Sequence, residues 1–223
     1  MAIVRTPLSG HIAARFLPVP SRLSTPSRCI GSVLGLAAAC LIASASTAVH
    51  AGLEEGRAKA QVCIACHGVD GNSQLPAIPS LAGQPRQFIV TALFMFREGR
   101  RVNEQMAPFV DRLSNADLND LAQYFSAQKL ATPLKAPDAD TVAKGRVITE
   151  KNNCVACHTA TLVGQQHIPR LAGQHKPYLL AQLKGFKAGT RADYDGTMTS
   201  AAQGLTADEL EPLADYLATL RAP

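Results

Sequence analysis

The sequence predicts an all-α protein built as two small tandem domains. Three observations lead there. The run Cys63-Ile64-Ala65-Cys66-His67 returns as Cys154-Val155-Ala156-Cys157-His158, and segments beyond each run also recur, at offsets near 90 residues. Past residue 51 the apolar residues follow helical spacing, with no convincing strand.

Residues 1–51 read as a leader rather than as part of a fold. Arg5, Arg15, Arg22 and Arg28 occur with no acidic residue, and an uncharged run rich in Gly, Ala, Leu, Ile and Ser then extends from Cys29 to Val49. Val49-His50-Ala51 offers a signal-peptidase site, so export is expected, with the mature chain beginning near Gly52. The stretch before the apolar core is long for a signal peptide, which points to a start codon downstream of Met1. An uncleaved membrane anchor is the competing reading, since about 20 residues can span a bilayer, but this run is weak in Leu. Cys40 is a poor lipoprotein cysteine, because Ala37 stands where a large aliphatic residue is wanted.

The leader also carries the charge imbalance. The whole chain has 22 basic and 17 acidic residues, a formal +5; without the leader's four arginines, 18 basic residues face 17 acidic ones, a formal +1. Nothing in that balance favours nucleic-acid binding.

Residues 52–130 form the first expected domain, 131–139 a linker and 140–223 the second domain. In each, a first helix (Leu53 to Val62, then Val142 to Lys151) leads into the Cys-x-x-Cys-His run. Two thiols about one helical turn apart reach the two vinyl groups of one porphyrin, and the adjacent imidazole faces its iron. The pentapeptide therefore reads as haem c attachment, giving two haems held by Cys63, Cys66, Cys154 and Cys157, with His67 and His158 as axial ligands. Two disulfides or a four-thiolate zinc site would use the same cysteines, but neither explains why His follows each pair.

Next, Ile78-Pro79-Ser80-Leu81-Ala82-Gly83-Gln84 recurs as Ile168-Pro169-Arg170-Leu171-Ala172-Gly173-Gln174. A backbone carbonyl at Pro79 or Pro169 would accept the ring N–H of the nearby histidine and fix its plane; a plain turn proline is the equal alternative. A second helix runs from Pro85 to Gly99, with Phe88, Ile89, Ala92, Leu93 and Phe96 on one face, and its copy from Pro177 to Gly189 carries Tyr178, Leu179, Leu183 and Phe186. The third helix opens with Ser114-x-x-Asp117, or Thr206-x-x-Glu209, as a capping box. Pro133 and Pro137 mark the linker. Domains of about 80 residues have marginal side-chain cores, and with no Trp in the chain a bound porphyrin would supply missing apolar surface.

The second axial ligand decides between an open iron and an electron carrier. Past the leader the methionines are Met95, Met106 and Met198. Met106 lies 18 residues before Tyr124 and Met198 lies 18 before Tyr216, so they hold one position of the repeat. Met95 pairs instead with Gly185 and reads as core packing. Met106 and Met198, in stretches expected to be non-helical (Asn103 to Pro108, Asp195 to Ser200), are therefore the expected sixth ligands. His167 and His175 align with Ala77 and Pro85; a ligand role should repeat, so they read as surface or hydrogen-bonded histidines. Tyr124 and Tyr216 either pack between first and last helices, the favoured reading, or bond a haem propionate. Arg97, Arg100, Arg101, Lys184, Lys187 and Arg191 read as a solvated basic face, with propionate pairing or partner steering as the alternative.

These residues resemble the dihaem cytochrome c4 group of class I c-type cytochromes over nearly all of residues 52–223. Cys63 to Ser73, the paired Pro-x-Leu-Ala-Gly-Gln segments and Met106 with Met198 carry the resemblance; Thr159 departs from it, standing where Gly usually follows the haem histidine. The resemblance implies two tandem cytochrome c-like domains, each with one covalently attached haem, acting as a periplasmic electron carrier rather than an enzyme. Its partners would be redox proteins, a quinol-oxidising complex or a membrane-bound oxidase, with peripheral membrane association. The alternatives are a cytochrome subunit of a dehydrogenase, such as flavocytochrome c sulfide dehydrogenase, and a dihaem peroxidase, which the paired methionines disfavour.

Overall fold

A computed structural model describes residues 52–132 and 138–221. The expected leader and most of the linker lie outside the described residues. Among those described no strand forms, Gln165 and Ile168 make one isolated bridge, and no helix is long and apolar enough to cross a membrane.

Each half follows the same path. In the first, α1 (helical residues 52–59) ends in a 3-10 turn, and Cys63 leads into the single turn α2 (Ile64–His67). Then come α3 (Arg86–Arg97), the short α4 (Ala107–Val110) and α5 (Asn115–Ala127). The second half repeats these as α6 (Ala139–Lys151), α7 (Val155–His158), α8 (Lys176–Lys187), α9 (Thr197–Ala202) and α10 (Ala207–Thr219). Helix α6 starts three residues before the expected Val142, because the Asp138 carboxylate accepts the Thr141 backbone N–H (2.9 Å) and caps the helix there.

First and last helices of each half cross at a glycine. A Cβ on Gly56 would lie 2.7 Å from Tyr124 Cβ, and one on Gly145 would lie 2.1 Å from Tyr216 Cβ. The tyrosines thus fill these crossings, as the packing reading expects, and the Tyr124 hydroxyl donates to Asp70 (2.9 Å). Ion pairs brace the same seams: Lys59 with Asp117 and Asp120, Lys151 with Glu209. The last helices carry the expected caps. Asp117 accepts from the Ser114 N–H (2.8 Å) and Glu209 from the Thr206 N–H (2.9 Å).

Both methionine segments are more ordered than a loop. Met106 is the N-cap of α4, and Met198 lies inside α9. A side chain in each half anchors the methionine backbone: Asn103 Oδ1 accepts the Met106 N–H (3.0 Å), and Asp193 Oδ2 accepts the Met198 N–H (2.7 Å). Met95, expected as core packing, is buried, and it also borders the cavity that α2 and α7 face.

Three outcomes follow for stability, each measured by unfolding the haem-loaded protein. Gly145→Ala should cost about 1–3 kcal/mol through overpacking against Tyr216. Thr159→Gly should stabilise by about 1–3 kcal/mol, because Thr159 sits at φ 71°, ψ 162° with its hydroxyl buried and unpartnered. Lys59 and Ser114 hold the Asp117 carboxyl down at about 2. Its contribution, roughly 0.2–1 kcal/mol for a half-buried surface pair, is present above the ordinary carboxylate range and lost as pH falls towards 2. Asp117→Asn should remove that pH dependence.

Candidate functional site: the haem cavity and the domain interface

The one-turn helices α2 and α7 present the two Cys-x-x-Cys-His runs to a cavity of about 850 Å³. Its walls include Cys63, Cys66, His67 and Met106 from the first half, and Cys154, Cys157, His158 and Met198 from the second. All eight residues singled out in the sequence are therefore brought together. None of the four cysteines is in a disulfide; Cys66 and Cys157 are exposed, while Cys63 and Cys154 are half-buried. Burial pushes the Cys63 thiol up to about 11.

Both histidines are oriented from behind. His67 Nδ1 lies 2.8 Å from the Pro79 carbonyl oxygen and His158 Nδ1 lies 2.8 Å from that of Pro169. A carbonyl only accepts, so each ring carries its proton on Nδ1 and leaves Nε2 with a free lone pair. Burial lowers the affinity of both rings for a second proton. A buried, neutral imidazole with its plane fixed is what a metal-ligating histidine needs. The proline carbonyls are thus more than turn elements.

Cations line the same space. Arg101 stacks 4.5 Å above the Phe96 ring and Arg191 3.9 Å above that of Phe186, while Arg101 also reaches into the second half to donate to Tyr178 (3.1 Å) and Gln182 (2.9 Å). The solvated face expected of the six basic residues holds for Arg100 and Lys184, which are exposed. Arg97 and Lys187 instead donate to the equivalent carbonyls of Leu113 (2.9 Å) and Leu205 (2.6 Å). Burial pushes Arg191 down to about 9 and Arg170 to about 10, so both remain cations at neutral pH. The buried Nε atoms of both are without a partner. An apolar cavity with unpaired thiols, free imidazole lone pairs and buried cations fits a large, flat, iron-bearing group with acidic side arms.

Sequence reasoning missed the residues that join the halves. Gln174 Oε1 accepts the Ser80 N–H (2.9 Å) and its Nε2 donates to the Ser80 carbonyl (2.9 Å). Symmetrically, Gln84 Oε1 accepts the Arg170 N–H (2.9 Å) and its Nε2 donates to the Arg170 carbonyl (3.1 Å). Arg170 also donates to the carbonyls of Ser80 (3.3 Å), Ala82 (3.1 Å) and Ala172. The recurrence of Gln at the end of both Pro-x-Leu-Ala-Gly-Gln segments was the available signal. Among the described residues, neither other histidine shows a ligand's setting: His175 Nε2 donates to the Ser73 carbonyl (3.0 Å) and His167 Nε2 lies 3.8 Å from Asp195.

Known proteins match along both halves. The family model for cytochrome c matches residues 142–221, and that for subunit III of the cbb3-type cytochrome c oxidase matches residues 54–125. A cytochrome c4 of Pseudomonas aeruginosa is 35% identical over 171 residues, 73% of this chain and 85% of the relative. A thiosulfate dehydrogenase electron acceptor of Thiomonas intermedia is 33% identical over 171 residues, 72% of this chain and 79% of the relative. Reduced recombinant cytochrome c4 from Pseudomonas stutzeri superposes with a TM-score of 0.70 at 32% identity, over 76% of this chain and 98% of that one. Two cytochrome c domains, two Cys-x-x-Cys-His runs with two covalent haem c groups, and relatives aligned along most of their length place the chain in the cytochrome c4 family of dihaem electron-transfer proteins.

Proposed function

We propose that the chain is a periplasmic electron carrier in which His67 and Met106 ligate one haem iron and His158 and Met198 the other. The observation that carries this reading is the equivalence of the two methionines. Each lines the haem cavity, and each has its backbone N–H held by a side chain, Asn103 or Asp193. A ligand whose backbone is anchored meets the iron with little ordering left to do. When bound, each haem c supplies a one-electron iron couple. Pro79 and Pro169 fix the imidazoles, Met106 and Met198 would supply the second ligands, and the apolar walls would limit water. With both irons so ligated there would be no open position for a catalytic step, which disfavours a peroxidase.

The electron route runs from a quinol-oxidising donor to a membrane-bound oxidase, with the carrier peripheral to the membrane. A second reading is the electron acceptor of a dehydrogenase acting on sulfur compounds, which the thiosulfate dehydrogenase electron acceptor among the relatives favours. Purification separates these: a stable complex with a dehydrogenase supports the second reading, and reoxidation by oxidase-containing membranes the first.

The ligand assignment has a direct test. The unmodified ferric protein should be low-spin at both haems with the far-red sulfur-to-iron band. Met106→Ala should open the haem of His67 alone and Met198→Ala that of His158 alone, each gaining high-spin character and binding cyanide. An unchanged spectrum in either variant would overturn that methionine's assignment.

A further inference from the structure

The peptide group between Pro79 and Ser80 is engaged at both ends. Its carbonyl accepts the His67 Nδ1–H (2.8 Å), and its N–H donates to Gln174 Oε1 of the other domain (2.9 Å). The Pro169–Arg170 peptide does the same for His158 (2.8 Å) and Gln84 (2.9 Å). Ser80, Gln84, Arg170 and Gln174 are each no more than 4% exposed, so water does not compete for these bonds. Each haem histidine is thus linked, through one peptide, to a glutamine 86 or 94 residues away from the peptide's N–H in sequence.

We propose that Gln84 and Gln174 are positioning residues that act crosswise, each setting the electron donation of the haem histidine in the opposite domain. The proposal rests on His67 and His158 being the axial ligands. A peptide whose N–H is bonded carries more negative charge on its oxygen, and such chained hydrogen bonds strengthen one another by about 10–30% per bond. That oxygen then draws harder on the imidazole Nδ1–H and makes Nε2 a better donor to the metal. A stronger donor favours ferric iron, so the glutamine bond lowers the potential of the haem across the interface. Domain docking is therefore also redox tuning, and a partner that loosens the interface would raise both potentials together.

The test uses the full haem-loaded protein with two readouts, the midpoint potential of each haem and the exchange rate of each histidine Nδ1–H. Haem signals are assigned from the Met106→Ala and Met198→Ala spectra. Gln174→Leu should raise the potential of the His67 haem and speed exchange at His67 Nδ1, with the His158 haem moving less. Gln84→Leu should do the reverse. Gln174→Glu loses the donor to the Ser80 carbonyl but keeps an oxygen for the Ser80 N–H, so it should show no rise at the His67 haem, and it also covers the case in which the leucine variant fails to fold. A shift confined to the variant's own domain, equal shifts at both haems, no shift, or a rise with Gln174→Glu would overturn the proposal. Failure of the ligand assignment is a separate result, visible in the unmodified protein as a high-spin haem.

Discussion

The hydrogen bond from each haem histidine to a proline carbonyl is the interaction on which the rest of the structure depends. It selects the tautomer, fixes the ring plane and aims the free lone pair into the cavity, all at an imidazole that burial keeps neutral. The surrounding backbone serves that bond. The one-turn helices α2 and α7 place the histidine directly after the second cysteine, and the following loop returns 12 residues later in the first half, 11 in the second, to bring the proline within reach.

The two domains obtain this arrangement from little material. Their helices are short, and α1 with α5, like α6 with α10, approach closely only because glycine faces a tyrosine at each crossing. Much of the remaining apolar surface lines the cavity rather than a side-chain core, so the covalent haem completes the hydrophobic interior as well as the redox chemistry. Thr159 marks where the second domain departs from the first: the backbone keeps the left-handed turn that Gly68 makes easily, with φ 78° at Gly68 and 71° at Thr159, and a β-branched residue bears the strain.

Much of this was legible in the sequence because the relevant signals are local and occur twice. The haem runs, the capping boxes of α5 and α10, the buried Met95 and the equivalence of Met106 with Met198 all rest on spacings shorter than one domain. What was not legible depends on particular side-chain partners, some local and some distant. The turns at Met106 and Met198 are held by bonds from the methionine N–H groups to the side chains of Asn103 and Asp193, which periodicity does not reveal in stretches of four to six residues. The placement of Arg101 and Arg191 in the cavity, and the crosswise bonds of Gln84 and Gln174, arise from docking of the halves. Repetition of those residues hinted at a role but could not say which surface they face.

The two-haem, His/Met arrangement is tested most directly by proton NMR of the fully reduced protein with labelled methionine methyl groups. A methionine bound to a low-spin ferrous haem lies over the ring and shifts far upfield. Two such signals, from Met106 and Met198, are predicted, with Met95, which also lines the cavity, shifted far less; one far-upfield signal, none, or a far-upfield Met95 would contradict it.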